Sequence, residues 1–165
     1  MKTVYLVRHA KSSWLESNIP DKDRPLKGRG IRDAHASASW FVDTQRLPQE
    51  LYTSPATRAL QTATIFGQAM EFSLRDLHIC EELYLCNEFE LLSFLRSLPS
   101  TVDAVMLFGH NPATTDFVNA CQRKRVENVP TTGIVGLEFP GEKWTELEFK
   151  AELHLFDYPK RRAED

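Results

Sequence analysis

The sequence predicts an α/β protein: a three-layer α/β/α sandwich on a mixed, mostly parallel sheet, with antiparallel strands at its C-terminal end. Two observations predict it. Short β-rich apolar runs alternate with stretches whose apolar residues recur at helical spacing. Beyond Gly133 that alternation gives way to period-two patterning around a Pro140-Gly141 turn. At 165 residues and 42% hydrophobic content the chain suits one domain, read as residues 1–158 with a charged tail over 159–165.

The elements follow in order. Val4–Val7 reads as a buried strand that stops on Arg8-His9. Ser12 to Gly30 is a polar, turn-rich loop containing DKDRPLKGRG. From Ile31 the apolar residues Ile31, Ala34, Ala38, Phe41 and Val42 define a helix that Leu47-Pro48 ends. Leu51–Thr53 is a short strand. Ser54-Pro55 then predicts a helix start, with serine capping free N–H groups and proline in the first helical position. Ala59, Ala63, Phe66 and Met70 line one face of that helix.

Leu77–Cys80 is a further short strand, and Asn87 to Glu90 resembles a capping box opening a helix through Leu98. Ala104–Phe108 is a third strong strand, ending on Gly109-His110. Asn111-Pro112 repeats the cap-then-proline start of a helix that runs to Gln122. Gly133–Phe139 and Trp144–Phe156 are the last strands. In the second, Leu147, Phe149, Ala151, Leu153 and Leu155 alternate with Glu146, Glu148, Lys150, Glu152 and His154, a pattern with one wet face.

Composition narrows the function. The net charge of −3 provides no basic field for nucleic acid or an anionic membrane. The clusters Arg123-Lys124-Arg125 and Lys160-Arg161-Arg162 read as solvated surface, the second neutralised by Glu164 and Asp165. Cys80, Cys86 and Cys121 are an odd number without CxxC spacing, which suggests reduced, partly buried thiols rather than disulfides or a zinc knuckle. No run approaches the ~20 apolar residues of a transmembrane helix, and no signal-type segment opens the chain. A soluble, cytoplasmic protein is expected.

The charges gather where ligands of α/β sheets bind, beyond the carboxyl ends of the strands. Arg8-His9 ends the first strand, Arg58 lies in the first turn after Ser54-Pro55, and His110 ends the third strong strand. Two guanidinium groups can clamp phosphate oxygens in bidentate fashion. The helix starts at Ser54-Pro55 and Asn111-Pro112 add oriented N–H donors. This pattern points to a site for a phosphoryl dianion. One histidine can attack phosphorus and form a phosphohistidine intermediate; the other can stabilise charge on the transferring oxygens. The arginines supply the positive charge, so neither metal nor cofactor is assigned. His35, His78 and His154 lack a partner pattern and read as structural or solvated.

The motifs LVRHAKSSW, DRPLKGRG, YTSPATRALQTA and LFGHNP, with EELY and VPTTG, resemble the histidine phosphatase superfamily in its phosphoglycerate-mutase-like branch. Within it the chain is similar to the short SixA-type phosphohistidine phosphatases, and the likeness runs across nearly all of it. The resemblance implies His9 as nucleophile, with Arg8, Arg58 and His110 completing the phosphate pocket. The usual RHG reads RHA here, and Ala10 requires ordinary backbone angles. Larger members present a glutamate after the second helix as general acid. Glu82, beside Glu81, is the positional candidate, and the competing reading makes both simply polar residues at a strand end. Lys11 either reaches the phosphate or sits in solvent. Ser54 is a helix cap that also stands near substrate.

Little separates Arg58 from Glu82, which implies an open pocket rather than a lidded one. The expected function is a metal-independent phosphatase acting on phosphohistidine of a protein partner. The alternatives are a small-molecule phosphomonoesterase acting on a phosphorylated metabolite, or a non-catalytic phosphoprotein-binding module.

Overall fold

The computed structural model describes residues 1–164, with side chains as far as Ala163. Strands β1 (Lys2–Arg8), β2 (Glu50–Thr53), β3 (Leu77–Ile79), β4 (Ala104–Gly109), β5 (Ile134–Phe139) and β6 (Glu152–Asp157) alternate with helices α1 (Gly28–Thr44), α2 (Thr57–Ala69), α3 (Glu88–Arg96) and α4 (Ala113–Cys121), and a short α5 (Pro159–Glu164) follows. The described residues form a six-stranded sheet in the order β3-β2-β4-β1-β5-β6. The first four strands in that order are parallel. β5 runs antiparallel to β1, and β6 antiparallel to β5.

Alternate residues of the central strands feed two cores, which makes the fold three-layered. Val4, Leu6 and Leu107 pack with Leu92 and Leu95 of α3 and Phe117 of α4. Tyr5, Val7 and Phe108 pack with Phe41 of α1 and with Ala63 and Phe66 of α2. Strands buried on both faces read as continuous apolar runs, as β1 and β4 do. Burying each large apolar side chain contributes about 1.5–3 kcal/mol. Packing of this scale, rather than local propensity, holds strands as short as the four-residue β2.

The structure departs from the sequence reading at several ends. The polar loop contains a 3-10 turn at Asp21–Asp23, and α1 begins at Gly28 rather than Ile31. Gly30 is required there: a Cβ would stand 2.1 Å from the Lys11 carbonyl oxygen. That contact presses the start of α1 onto the loop after His9. Ser54 is not the cap of α2. Ala56 holds that position, while the Ser54 hydroxyl accepts from the Ala56 N–H and turns towards His110. The capping box of α3 forms as expected, with Asn87 and Glu90 each accepting from the other's backbone.

The last strand is shorter than its alternation suggests. Trp144–Glu146 is a 3-10 turn and β6 starts only at Glu152. The Trp144 indole donates to the Val102 carbonyl, and Arg96 donates to the Leu147 carbonyl. These side-chain bonds, with Leu147 buried in the core, tie the segment to α3 and the loop after it instead of to the sheet. Arg162, read as solvated, pairs with Asp157 at the end of β6. The expected neutralisation by Glu164 and Asp165 lies outside the described side chains.

Candidate active site

The β1–β4 and β2–β4 registers set Arg8 beside Gly109 and Thr53 beside Phe108, so three strands end together. The chain then steps into the loops with its backbone still paired: His9 N–H donates to Gly109, and Ser54 N–H to Phe108, each at 3.0 Å. His9, Ser54 and His110 thereby meet at one edge of the sheet. α2 brings in Arg58 from its first turn. An open cleft of about 740 Å3 is lined by His9, His110 and Arg58 with Arg8, Lys11, Asp21, Arg24 and Tyr84, while Ser54 is buried behind His110 and does not line it.

His9 is buried, with its ring centroid 5.2 Å from that of His110. Its Nδ1 lies 2.8 Å from the Ala10 carbonyl oxygen. A carbonyl only accepts, so Nδ1 carries the proton and Nε2 keeps a free lone pair. Burial, followed by the charges of Arg58 and Arg8, pushes the His9 pKa down to about 4. Burial, followed by His9 and Arg58, pushes that of His110 down to about 3. Both rings are therefore neutral near pH 7. His110 Nε2 is 2.8 Å from the Ser54 hydroxyl.

The guanidinium groups are fixed from behind. Arg8 donates to the Val129 carbonyl at 3.0 Å, and burial lowers its pKa. Arg58 is buried and donates to Asp21 through both terminal nitrogens. Arg8 Nε, Arg58 Nε and His110 Nδ1 are buried without a hydrogen-bond partner, as is the hydroxyl of neighbouring Thr132. Polar atoms left unmatched by the protein are costly, and here they cluster on the groups that an anion's oxygens would meet. Ala10 is absent from the left-handed residues Glu71, Leu85 and Thr132, so its turn is regular. Its N–H is held by the Thr62 hydroxyl, which in turn donates to the Arg58 carbonyl.

Lys11 lines the cleft but is exposed. Glu82 is not brought in. The 3-10 turn Glu81–Leu83 buries Leu83, which leaves Glu82 exposed on a separate shallow groove with Phe89 and Phe94, and Glu81 paired with Lys22. His35 is exposed, His78 stacks on Tyr52 and His154 packs against Tyr5, all away from the cleft.

Sequence reasoning missed Asp21, Arg24 and Tyr84. Arg24 is buried, donates to the Ser12 hydroxyl at 2.8 Å and lies 3.5 Å over the Trp14 ring. It and the Tyr84 hydroxyl both donate to the Asp21 carboxylate. The signal was present in DKDR, which puts an acid and an arginine one helical turn apart ahead of a proline. Reading the stretch only as a loop concealed it. Among the described residues no group of His, Cys, Asp and Glu is placed to hold a metal ion, and no helix is long and apolar enough to cross a membrane.

The chain matches a known family. Residues 4–85 fit the histidine phosphatase superfamily (branch 1), and the chain belongs to that superfamily. An uncharacterized protein of Mycobacterium tuberculosis is 30% identical over 152 residues, covering 86% of this chain and 92% of that one. Among solved structures, one from Agrobacterium tumefaciens assigned as a phosphohistidine phosphatase, SixA, superposes with a TM-score of 0.83 at 27% identity, covering 96% of this chain and 98% of that one. A protein histidine phosphatase SixA complexed with tungstate gives 0.82 at 18% identity, covering 97% and 99%, a likeness of fold. The chain is SixA-like in architecture, with the mixed sheet and antiparallel C-terminal strands that the sequence predicts.

Proposed function

We propose that this protein is a metal-independent phosphatase that moves a phosphoryl group from phosphohistidine on a protein partner to His9 and then to water. In the first step the His9 Nε2 lone pair forms a bond to phosphorus as the substrate's P–N bond breaks. The departing electron pair stays on the substrate imidazole, which leaves neutral when its distal nitrogen is protonated. Water then displaces His9 and releases inorganic phosphate. Arg8, Arg58 and Arg24 hold the equatorial oxygens, and His110 donates to them from its neutral ring. The arginines supply the charge that a metal ion would otherwise provide.

The observation that carries the substrate assignment is that the cleft holds no protonated carboxyl group to act as a general acid. Asp21 is the one carboxylate among its lining residues. Its pKa is held at about 2, so it is ionised and has no proton to give. An alkoxide leaving group requires a proton in the transition state, whereas imidazole, with a conjugate acid near 6.5, leaves without one. The rim supports a macromolecular partner. Trp14 is 76% and Leu85 81% exposed at the mouth of the cleft, with Leu15 beside Trp14 exposed as well. Apolar side chains around a cationic floor suit a phosphorylated side chain presented from a protein surface.

Turnover of phosphohistidine protein, aryl phosphate and alkyl phosphate tests the reading. The expected order of kcat/KM is phosphohistidine, then aryl, then alkyl, the last about 10²–10⁴-fold lower, with no effect of a chelator. Equal turnover of alkyl phosphates would remove the phosphohistidine assignment. Loss of activity with chelator would remove the metal-free mechanism.

A further inference from the structure

A second cavity, of about 370 Å3, opens beside the cleft and shares Arg8, Lys11 and Thr131 with it as a common wall. Beyond that wall it is lined by Arg29 and Asp33 of α1 and by Tyr158 and Lys160 where β6 passes into α5. Three distant parts of the chain converge here for identifiable reasons. Gly30 lets the start of α1 lie on the Lys11 backbone, and Lys27 N–H donates to the Lys11 carbonyl at 3.0 Å. The Arg162–Asp157 ion pair fixes α5 against the end of β6.

The cavity is as cationic as the catalytic cleft. Arg8, Lys11, Arg29 and Lys160 face Asp33 alone, and the Arg29–Asp33 pair is long, at 3.9 Å. Four cations thus gather at one place on a chain whose net charge is −3. Arg29 also stands in the first turn of α1, which holds no acidic residue. A cation there opposes the positive end of the helix dipole, so the site is electrostatically unfavourable without an anion. Lys11 belongs to both cavities, which places any anion in the second next to a phosphoryl group in the first.

We propose that this cavity is a second anion subsite. It holds a carboxylate or phosphate carried by the same substrate molecule whose phosphoryl group faces His9, and in this respect the inference rests on the phosphatase reading above. The contact is remote from the reacting atoms and is the same in ground and transition states, so it lowers KM without changing kcat. The specificity it confers is for substrates with an acidic group flanking the phosphorylated position.

The test compares wild type with the double variant Arg29→Ala/Lys160→Ala. Both residues are exposed and neither lines the catalytic cleft. The substrates are phosphohistidine peptides with and without acidic flanks, a small bisphosphate and its monophosphate counterpart, and free phosphohistidine blocked as its N-acetyl amide, which carries no carboxylate. The double variant should raise KM about 5- to 10-fold, the scale of two partly exposed charge pairs, for acid-flanked peptide, for bisphosphate, or for both. Its kcat should hold, and free phosphohistidine should be unaffected. The arm that responds identifies the source of the anion. Unchanged KM in both arms, or an equal rise for free phosphohistidine, would overturn the subsite. Calorimetric binding of the same peptides and the bisphosphate to the His9→Ala protein, with and without the two substitutions, supplies the same ratio without turnover. Failure of wild type to hydrolyse any phosphoramidate would count against the phosphatase reading instead, and that binding ratio would still decide the subsite.

Discussion

Arg58 grips Asp21 with both arms of its fork: Nη2 donates to the carboxylate Oδ2 at 3.0 Å while Nη1 donates to the backbone carbonyl oxygen at 2.7 Å. Arg24 and Tyr84 donate to the same carboxylate. One residue on a 3-10 turn thus orients two arginines and a tyrosine before any substrate arrives. Preorganisation of this kind is what makes charge stabilisation effective in a transition state.

Asp21 gives the first prediction. Burial works to raise its pKa, but hydrogen bonds from Tyr84 and Arg58, with the charge of Arg58, outweigh it and hold the carboxyl at about 2. A depressed folded-state pKa contributes stability that is present above the ordinary value of ~3.9 and lost as pH falls through ~2. The scale is about 1 kcal/mol, because the carboxylate is half exposed and screened. Unfolding curves of wild type and Asp21→Asn should therefore differ near pH 6 and converge between pH 4 and 2. A constant gap across that window would contradict the assignment.

The two site histidines should titrate far below the ordinary histidine range. With pKa values of about 4 and about 3, both stay neutral down to weakly acidic pH. In NMR spectra, the His9 and His110 resonance sets should keep neutral positions from pH 8 to 5, and His9→Ala and His110→Ala should each remove one. A midpoint near the ordinary 6.5 for either ring would contradict the burial argument.

Glu82 is predicted to be dispensable. It is exposed outside the cleft, on the groove with Phe89 and Phe94. Glu82→Gln should change turnover of aryl phosphate and of phosphohistidine protein by no more than about twofold, against the ~10²–10⁴ of a true general acid. A selective loss on alkyl or aryl phosphates would restore it as proton donor and require the turn at Glu81–Leu83 to rearrange.

Leu85 separates the protein-partner reading from a small-molecule one. It holds φ at 58° and an 81% exposed side chain at the mouth of the cleft. A left-handed leucine costs about 1–2 kcal/mol, which asparagine largely relieves. Leu85→Asn should therefore raise thermal stability while raising KM for phosphohistidine protein and leaving free phosphohistidine unchanged. An unchanged KM for the protein substrate would remove Leu85 from the docking rim.

The parts legible in the sequence were those fixed by strong local chemistry. Val4–Val7 and Ala104–Phe108 are apolar throughout because both faces of β1 and β4 are buried, and Asn87 with Glu90 announces α3 through its own backbone bonds. Arg8, His9, Arg58 and His110 could be gathered from the rule that α/β sites lie at carboxyl ends of strands. What escaped were features created by tertiary contact. Ser54 serves the His110 ring rather than the helix cap, because the turn it makes with Ala56 aims its hydroxyl at the neighbouring strand's loop. Leu147 to Ala151 carries perfect alternation, yet Arg96 of α3 holds the Leu147 carbonyl and Trp144 is held by Val102 in the loop after α3. Asp21 and Arg24 lie in a stretch with no periodicity, where only the folded loop shows that they face Arg58.

The central claim is that His9 accepts the phosphoryl group, and rapid-quench trapping with a phosphohistidine protein labelled on phosphorus tests it most directly. Up to one acid-labile, base-stable phosphoryl group per chain is expected on His9, forming before inorganic phosphate appears and absent from His9→Ala, which should fold normally and lack turnover. Phosphate release without a labelled enzyme species, label on any other residue, or an active His9→Ala protein would contradict it.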